Sequence, residues 1–160
     1  MAPPALTIRP AAFPADLEAV RALFREYEQG VDAAVCFQGF EQELAALAER
    51  YAPPDGCVLL ALDGDVPVGC AALRRLDATT AEARRLWLRP SARGRGAGGA
   101  LVLRLGEAAR AAGYRAVRLE TLPDRMETAL ALYRRLGFRE IAPYPAHPVA
   151  GAVYMELALR

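Results

Sequence analysis

Residues 93–99 read Arg-Gly-Arg-Gly-Ala-Gly-Gly, between a strand-like run, Ala81 to Leu88, and an alanine-rich helical run over 97–112. Glycines here let a ligand approach the backbone and turn several N–H groups toward it. The helix start adds about half a positive charge, so the turn is suited to a phosphate or pyrophosphate. Two other readings compete. Gly94, Gly96 and Gly99 complete a GxGxxG pattern, but a dinucleotide-binding turn follows the first strand of its unit, whereas this one follows the fourth. A tight strand-to-helix turn without a ligand is the plainer alternative. Just upstream, two-residue periodicity places Glu82, Arg84, Leu86 and Leu88 on one strand face. A carboxylate between apolar walls can accept a proton, directly or through water. A guanidinium can take a carboxylate in bidentate fashion, or the two side chains can pair with each other. Glu120 is a second candidate acid on a neighbouring strand.

Composition removes several chemistries. The 160 residues contain no Lys and no Asn, with Ser91 and His147 the sole residues of their types. Lysine Schiff bases and a GxxxxGK[ST] phosphate loop are thereby excluded. A Ser-His-Asp triad would need Ser91, which has no GxSxG elbow around it. Cys36, Cys57 and Cys70 show no CxxC spacing, and one histidine makes a zinc site improbable, so no metal is expected. Cys57 and Cys70 read as small buried hydrophobes. A net charge of +1 predicts no non-specific draw to nucleic acid or membrane. The first ten residues lack a signal-peptide core and no run spans a bilayer, so the expected compartment is the cytoplasm. The length suggests a single domain over 1–160.

The elements that must position these residues follow from pattern. Thr7 lies in a short strand ended by Pro10, and Asp16 caps a helix over 17–29 with Leu17, Val20, Leu23, Phe24 and Tyr27 on one face. A greasy loop over 31–39 leads to a second helix, about 40–50. Cys57–Leu62 and Val66–Leu73 form a hairpin about Asp63-Gly64-Asp65. Arg115–Thr121 is a strand, Asp124 caps a helix ending at Gly137, and Phe138–Ile141 and Val153–Leu159 are the last strands. The order is β-α-α-β-β-β-α-β-α-β-β. It makes an α/β fold with a mixed, mostly antiparallel sheet of about seven strands and four helices. The unit 81–121 should form a parallel pair with a right-handed crossover.

Arg93-x-x-Gly96-x-Gly98 resembles the [RQ]xxGx[GA] signature of the GNAT N-acetyltransferases, and Ala129-x-x-Leu132-Tyr133-x-x-x-Gly137-Phe138 resembles that family's AxxLYxxxGF motif. The element order is also the family's, so the resemblance covers essentially the whole chain. It implies an acetyl-CoA co-substrate in a cleft where strands 81–88 and 115–121 splay apart. The turn from Arg93 through Gly94, Arg95, Gly96, Ala97, Gly98 and Gly99 would hold the pyrophosphate. Leu86, Trp87 and Leu88 would pair with the pantetheine arm as a strand would. Where many relatives carry an Asn that bonds the pantetheine, this chain has Met126, so no side-chain amide is available there.

By the same resemblance Tyr133 would donate a proton to the leaving sulfur. Its position among Ala129, Leu132 and Leu136 would otherwise read as core. Glu82, eleven residues before Arg93, has the spacing of the catalytic glutamate in the histone-acetylating branch. Tyr27, Phe37, Tyr144 and Tyr154 could line the acceptor pocket beside Arg84 and Glu120. His147 reads as a loop residue. The implied activity is transfer of acetyl from acetyl-CoA to a primary amine of a small, amino-acid-like molecule, in a monomer or homodimer. A protein or peptide substrate, or a non-catalytic acyl-CoA sensor, is the alternative.

Overall fold

The computed structural model describes residues 5–30, 39–122 and 127–160. In chain order the elements are β1 (Thr7–Pro10), α1 (Leu17–Gly30), α2 (Phe40–Ala45), α3 (Leu47–Arg50), β2 (Cys57–Asp63), β3 (Val66–Arg75), β4 (Thr80–Leu88), a short 3₁₀ turn (Pro90–Ala92), α4 (Ala97–Ala111), β5 (Ala116–Thr121), α5 (Glu127–Arg135), β6 (Arg139–Ile141) and β7 (Val153–Ala158). One mixed sheet has the order β1-β2-β3-β4-β5-β7-β6. Its neighbours are antiparallel except for the central β4–β5 pair.

Helices cover both faces. Val20, Leu23 and Phe24 of α1 pack with Phe40, Leu44, Leu47 and Tyr51 on Val58, Leu60, Cys70 and Ala72. On the other face Leu101, Val102, Leu105 and Ala109 of α4 pack with Leu130 and Tyr133 of α5 on Leu59, Ala61, Ala71, Leu73, Val117 and Leu119. A strand buried on both sides has no polar alternation to keep, which is why β2 and β3 read as nearly continuous apolar runs.

Three sequence expectations are corrected locally. The helix expected over 40–50 breaks at Ala46 (φ −112°, ψ 23°), giving five helices rather than four among the described residues. Packing overrides helix propensity there, because Glu43, Leu44, Leu47 and Tyr51 all become buried. Asp16 precedes α1, but its carboxylate does not cap the helix. It accepts the Ala12 N–H at 2.7 Å and the Arg9 guanidinium at 2.7 Å, closing the turn before it. Cys57 is half-buried rather than buried. Burial pushes its thiol up to about 11 and that of Cys70 higher still, so neither is a ready thiolate at neutral pH. Cys36 and Asp124 lie outside the described residues.

Candidate active site

The parallel pairing of β4 with β5 runs from Thr80↔Ala116 to Glu82↔Arg118 and stops there. Beyond Glu82, β4 keeps β3 on its outer side and β5 keeps β7, which it pairs along its whole length, while no ladder pair bridges β4 and β5. A cavity of about 240 Å³ lies between the parting strands, lined by Glu82, Arg84 and Leu86 of β4, Glu120 of β5, Tyr133 of α5 and Tyr27 of α1, among others.

β4 does not keep its alternation. Ala72 faces Arg84 and Cys70 faces Trp87, so two residues, Arg85 and Leu86, stand opposite Ala71 alone. This is a β-bulge, with Arg85 at φ 59°. The expected common face of Glu82, Arg84, Leu86 and Leu88 is therefore split. Glu82 and Arg84 share the α1–α3 side with Trp87, while Leu86 and Leu88 join Ala83 against α4 and α5. A one-residue insertion flips every later side chain to the other face.

At the exit of β4 the chain reaches the glycine turn. Gly94 and Gly96 have φ of 75° and 79°, and a Cβ at either would meet nothing within 4 Å. Gly96 is the N-cap of α4 and no side chain caps that end, so the first-turn N–H groups of Ala97, Gly98 and Gly99 lack a side-chain acceptor. Neither neighbouring arginine fills the turn. Arg93 Nε donates to the Leu88 carbonyl at 3.0 Å and its guanidinium lies over the Trp87 ring, while Arg95 pairs with Asp63 at 3.2 Å. Gly98 and Gly99 serve packing, with Cβ positions 3.5 Å from Leu132. The turn thus fits an anion held by backbone N–H groups. Trp87 itself packs on α1, where a Cβ on Gly30 would run into its ring, and its Nε1 donates to Glu26 at 3.3 Å.

The cavity itself is lined by side chains that engage one another. Glu82 is buried and accepts Arg74 at 2.9 Å on Oε1 and the Tyr144 hydroxyl at 2.7 Å on Oε2. Arg84 reaches Glu82 at 3.4 Å but lies nearer Glu43, at 3.2 Å, and the Tyr51 hydroxyl, also at 3.2 Å. The expected alternatives for Arg84, a substrate carboxylate or Glu82, thus meet a third partner. Glu120 is exposed and stands opposite Tyr154 in the β5–β7 ladder. Tyr154 is buried, with its hydroxyl accepting the Val149 N–H at 3.1 Å and its ring 5.3 Å from that of Tyr144. Tyr27 meets Trp87 edge-on at 6.5 Å. His147 is exposed on the β6–β7 loop. Phe37 and Met126 lie outside the described residues.

Tyr133 is buried in the wall of the cavity, with its ring 5.6 Å from that of Phe138. Burial pushes its hydroxyl well above the ordinary phenol range, so it keeps its proton at neutral pH.

Pattern reading missed Glu43, Tyr51, Arg74 and Arg85. Glu43 is 2% exposed and takes Arg85 through two bonds of 3.0 Å each. Burial alone would raise its carboxyl, but the hydrogen bond from Arg85 and the charges of Arg84 and Arg85 hold it below the usual carboxylate range. The available signal was Arg84-Arg85 itself. Two successive arginines in a strand covered on both faces force one into the core or break the alternation.

The sequence profile of the Acetyltransferase (GNAT) family matches residues 17–138. This chain belongs to that family. GNAT proteins are acyltransferases, and the relatives agree. An uncharacterized N-acetyltransferase of Schizosaccharomyces pombe is 33% identical, covering 99% of this chain and 98% of its own length. An IAA acetyltransferase of Azospirillum brasilense is 36% identical over 69% of this chain and 73% of its own. A GNAT-family acetyltransferase from Staphylococcus aureus superposes with a TM-score of 0.82 at 19% identity, covering 98% of this chain and 100% of that one, which shows a common fold. A phosphinothricin acetyltransferase from Sinorhizobium meliloti, solved in complex with AcCoA, superposes with a TM-score of 0.77 at 22% identity, covering 98% and 89% of the two chains.

Proposed function

We propose that the chain transfers acetyl from acetyl-CoA to the primary amine of a small molecule. The observation that supports this best is the parting of β4 and β5 after Glu82, with an uncapped, glycine-opened helix start at one end and a carboxylate and a protonated tyrosine in the cavity between. Backbone N–H groups from Arg95 to Gly99 would hold the pyrophosphate, and the β4 edge at Leu86, Trp87 and Leu88 the pantetheine arm. Acetyl-CoA supplies the activated acyl thioester when bound.

The chain's own groups handle the protons. A primary amine is mostly protonated at neutral pH and must lose a proton to attack. Glu82 accepts that proton, directly or through water, and Glu120 is the second candidate on the same cavity. Tyr133 holds a proton for the departing sulfur, and its buried hydroxyl suits it to donate rather than ionise. A cavity of about 240 Å³, with Pro145 in its lining and Tyr144 bonded across to Glu82, suits a small acceptor better than a peptide. Arg74 and Arg84 offer a carboxylate on the acceptor a cationic wall, consistent with an amino-acid-like molecule.

A panel of small amines assayed for free thiol from acetyl-CoA tests the reading. Thiol release that depends on one of these amines supports it. Acetyl-CoA binding without release on any amine makes the protein a sensor, and release with peptides alone moves the acceptor to protein.

A further inference from the structure

The bulge in β4 places a non-glycine residue in the left-handed region, Arg85 at φ 59°. Such a residue persists only where its surroundings over-determine it. Its surroundings are specific. The guanidinium donates from Nε to Glu43 Oε2 and from Nη2 to Glu43 Oε1, both at 3.0 Å, a fork-on-fork pair buried from solvent. It also lies 5.4 Å from the Tyr27 ring and 5.3 Å from the Phe40 ring. Glu43 is fixed in turn by the Tyr51 hydroxyl at 3.1 Å and by Arg84. All this sits one residue from Leu86, where the strand exchanges its faces.

We infer that Glu43 and Arg85 are positioning residues: their buried pair, anchored on α2, holds the β4 bulge and thereby sets the strand edge along which acetyl-CoA is to lie. The inference rests on the coenzyme reading given under Proposed function. Without the pair, Arg85 relaxes toward ordinary extended backbone, the extra residue is lost from the register, and Leu86, Trp87 and Leu88 no longer present the same edge. The pair also ties α2 to the β4 edge through two side chains.

The test separates the backbone from the guanidinium. Glycine adopts positive φ without cost, whereas alanine does not. Arg85→Gly and Arg85→Ala both remove the guanidinium, but only Arg85→Ala also disfavours the bulge. By calorimetry, acetyl-CoA should bind Arg85→Ala at least about fivefold more weakly than Arg85→Gly. Glu43→Gln should weaken binding by a similar factor in the Arg85 protein and by less than about twofold in the Arg85→Gly background. In the free proteins, the backbone amide resonances of Leu86–Leu88 should move in Arg85→Ala and Glu43→Gln and stay near wild type in Arg85→Gly. Equal affinities for Arg85→Gly and Arg85→Ala overturn the inference. So does a Glu43→Gln effect of the same size in both backgrounds. Should Glu43→Gln not fold, Glu43→Asp, which keeps the charge but shortens the reach to Arg85, takes its place in both backgrounds with the same expected and overturning results. Wild-type protein that does not bind acetyl-CoA overturns the coenzyme reading, and the amide resonances then judge the pair by themselves.

Discussion

The two ends of β4 are built from different parts of the chain. At the exit, the turn into α4 offers backbone: two glycines at positive φ, a helix start without a side-chain cap, and arginines that are engaged elsewhere. At the entry, the cavity is lined by charges that hold one another, with Arg74, Arg84 and Tyr144 gathered on Glu82, and Glu43 shared by Arg84 and Arg85. A site made of N–H groups recognises a phosphate whatever side chains surround it. A site made of interlocked side chains recognises shape and charge together, and each member depends on the others. The first design suits a co-substrate common to a family, and the second an acceptor particular to one member.

Substitutions at the two ends should separate accordingly. The largest effect is expected where the ends meet. Tyr133→Phe keeps the ring against Phe138 but removes the proton donor, and kcat should fall by about 10²–10⁴-fold with acetyl-CoA affinity unchanged. A kcat within about twofold of wild type returns Tyr133 to the core. Glu82→Gln and Glu120→Gln divide the base role by the same measurement, with the larger kcat loss expected for Glu82.

On the backbone side, Gly96→Glu puts a negative side chain at the helix start and strains a residue at φ 79°. Acetyl-CoA affinity should drop at least about tenfold, roughly 1.4 kcal/mol. Gly98→Ala, whose new methyl would meet Leu132 at ordinary contact distance, should bind nearly as wild type does. If both glycine variants lose affinity alike, the turn works through packing rather than through its N–H groups.

On the side-chain side, Tyr144→Phe removes the 2.7 Å bond to Glu82. It should lower kcat/KM for the acceptor by about tenfold, the low end for one hydrogen bond to a charged group, and leave acetyl-CoA binding alone. The buried pair also has a stability signature. Glu43→Gln leaves Arg85 without its counter-charge and should cost about 3 kcal/mol in urea unfolding at neutral pH. Because the folded-state pKa of Glu43 lies below its ordinary 4.5, its contribution is complete above that pH and is lost as pH falls through the folded value. The variant's stability should therefore vary less with pH in that acid range. An unchanged acid profile would remove Glu43 from the ion-pair network.

Much of this was legible in the residues themselves. Most of the element order, the hairpin at Asp63-Gly64-Asp65, the glycine turn and the family motifs are local signals, because a turn or helix start is fixed by residues adjacent in the chain. The charged end of β4 was not. Strand periodicity put Glu82, Arg84, Leu86 and Leu88 on one face, and the bulge at Arg85 divided them. A bulge is an agreement between two strands about how many residues each contributes, and no run of one strand states it. Likewise the partner of Arg84 is Glu43, forty-one residues away, in a helix that breaks at Ala46 against its own propensity. The sequence by itself determined the family, the fold and the turn suited to phosphate. Tertiary structure alone decided which charges meet in the cavity, because burial makes each one depend on partners brought from distant parts of the chain.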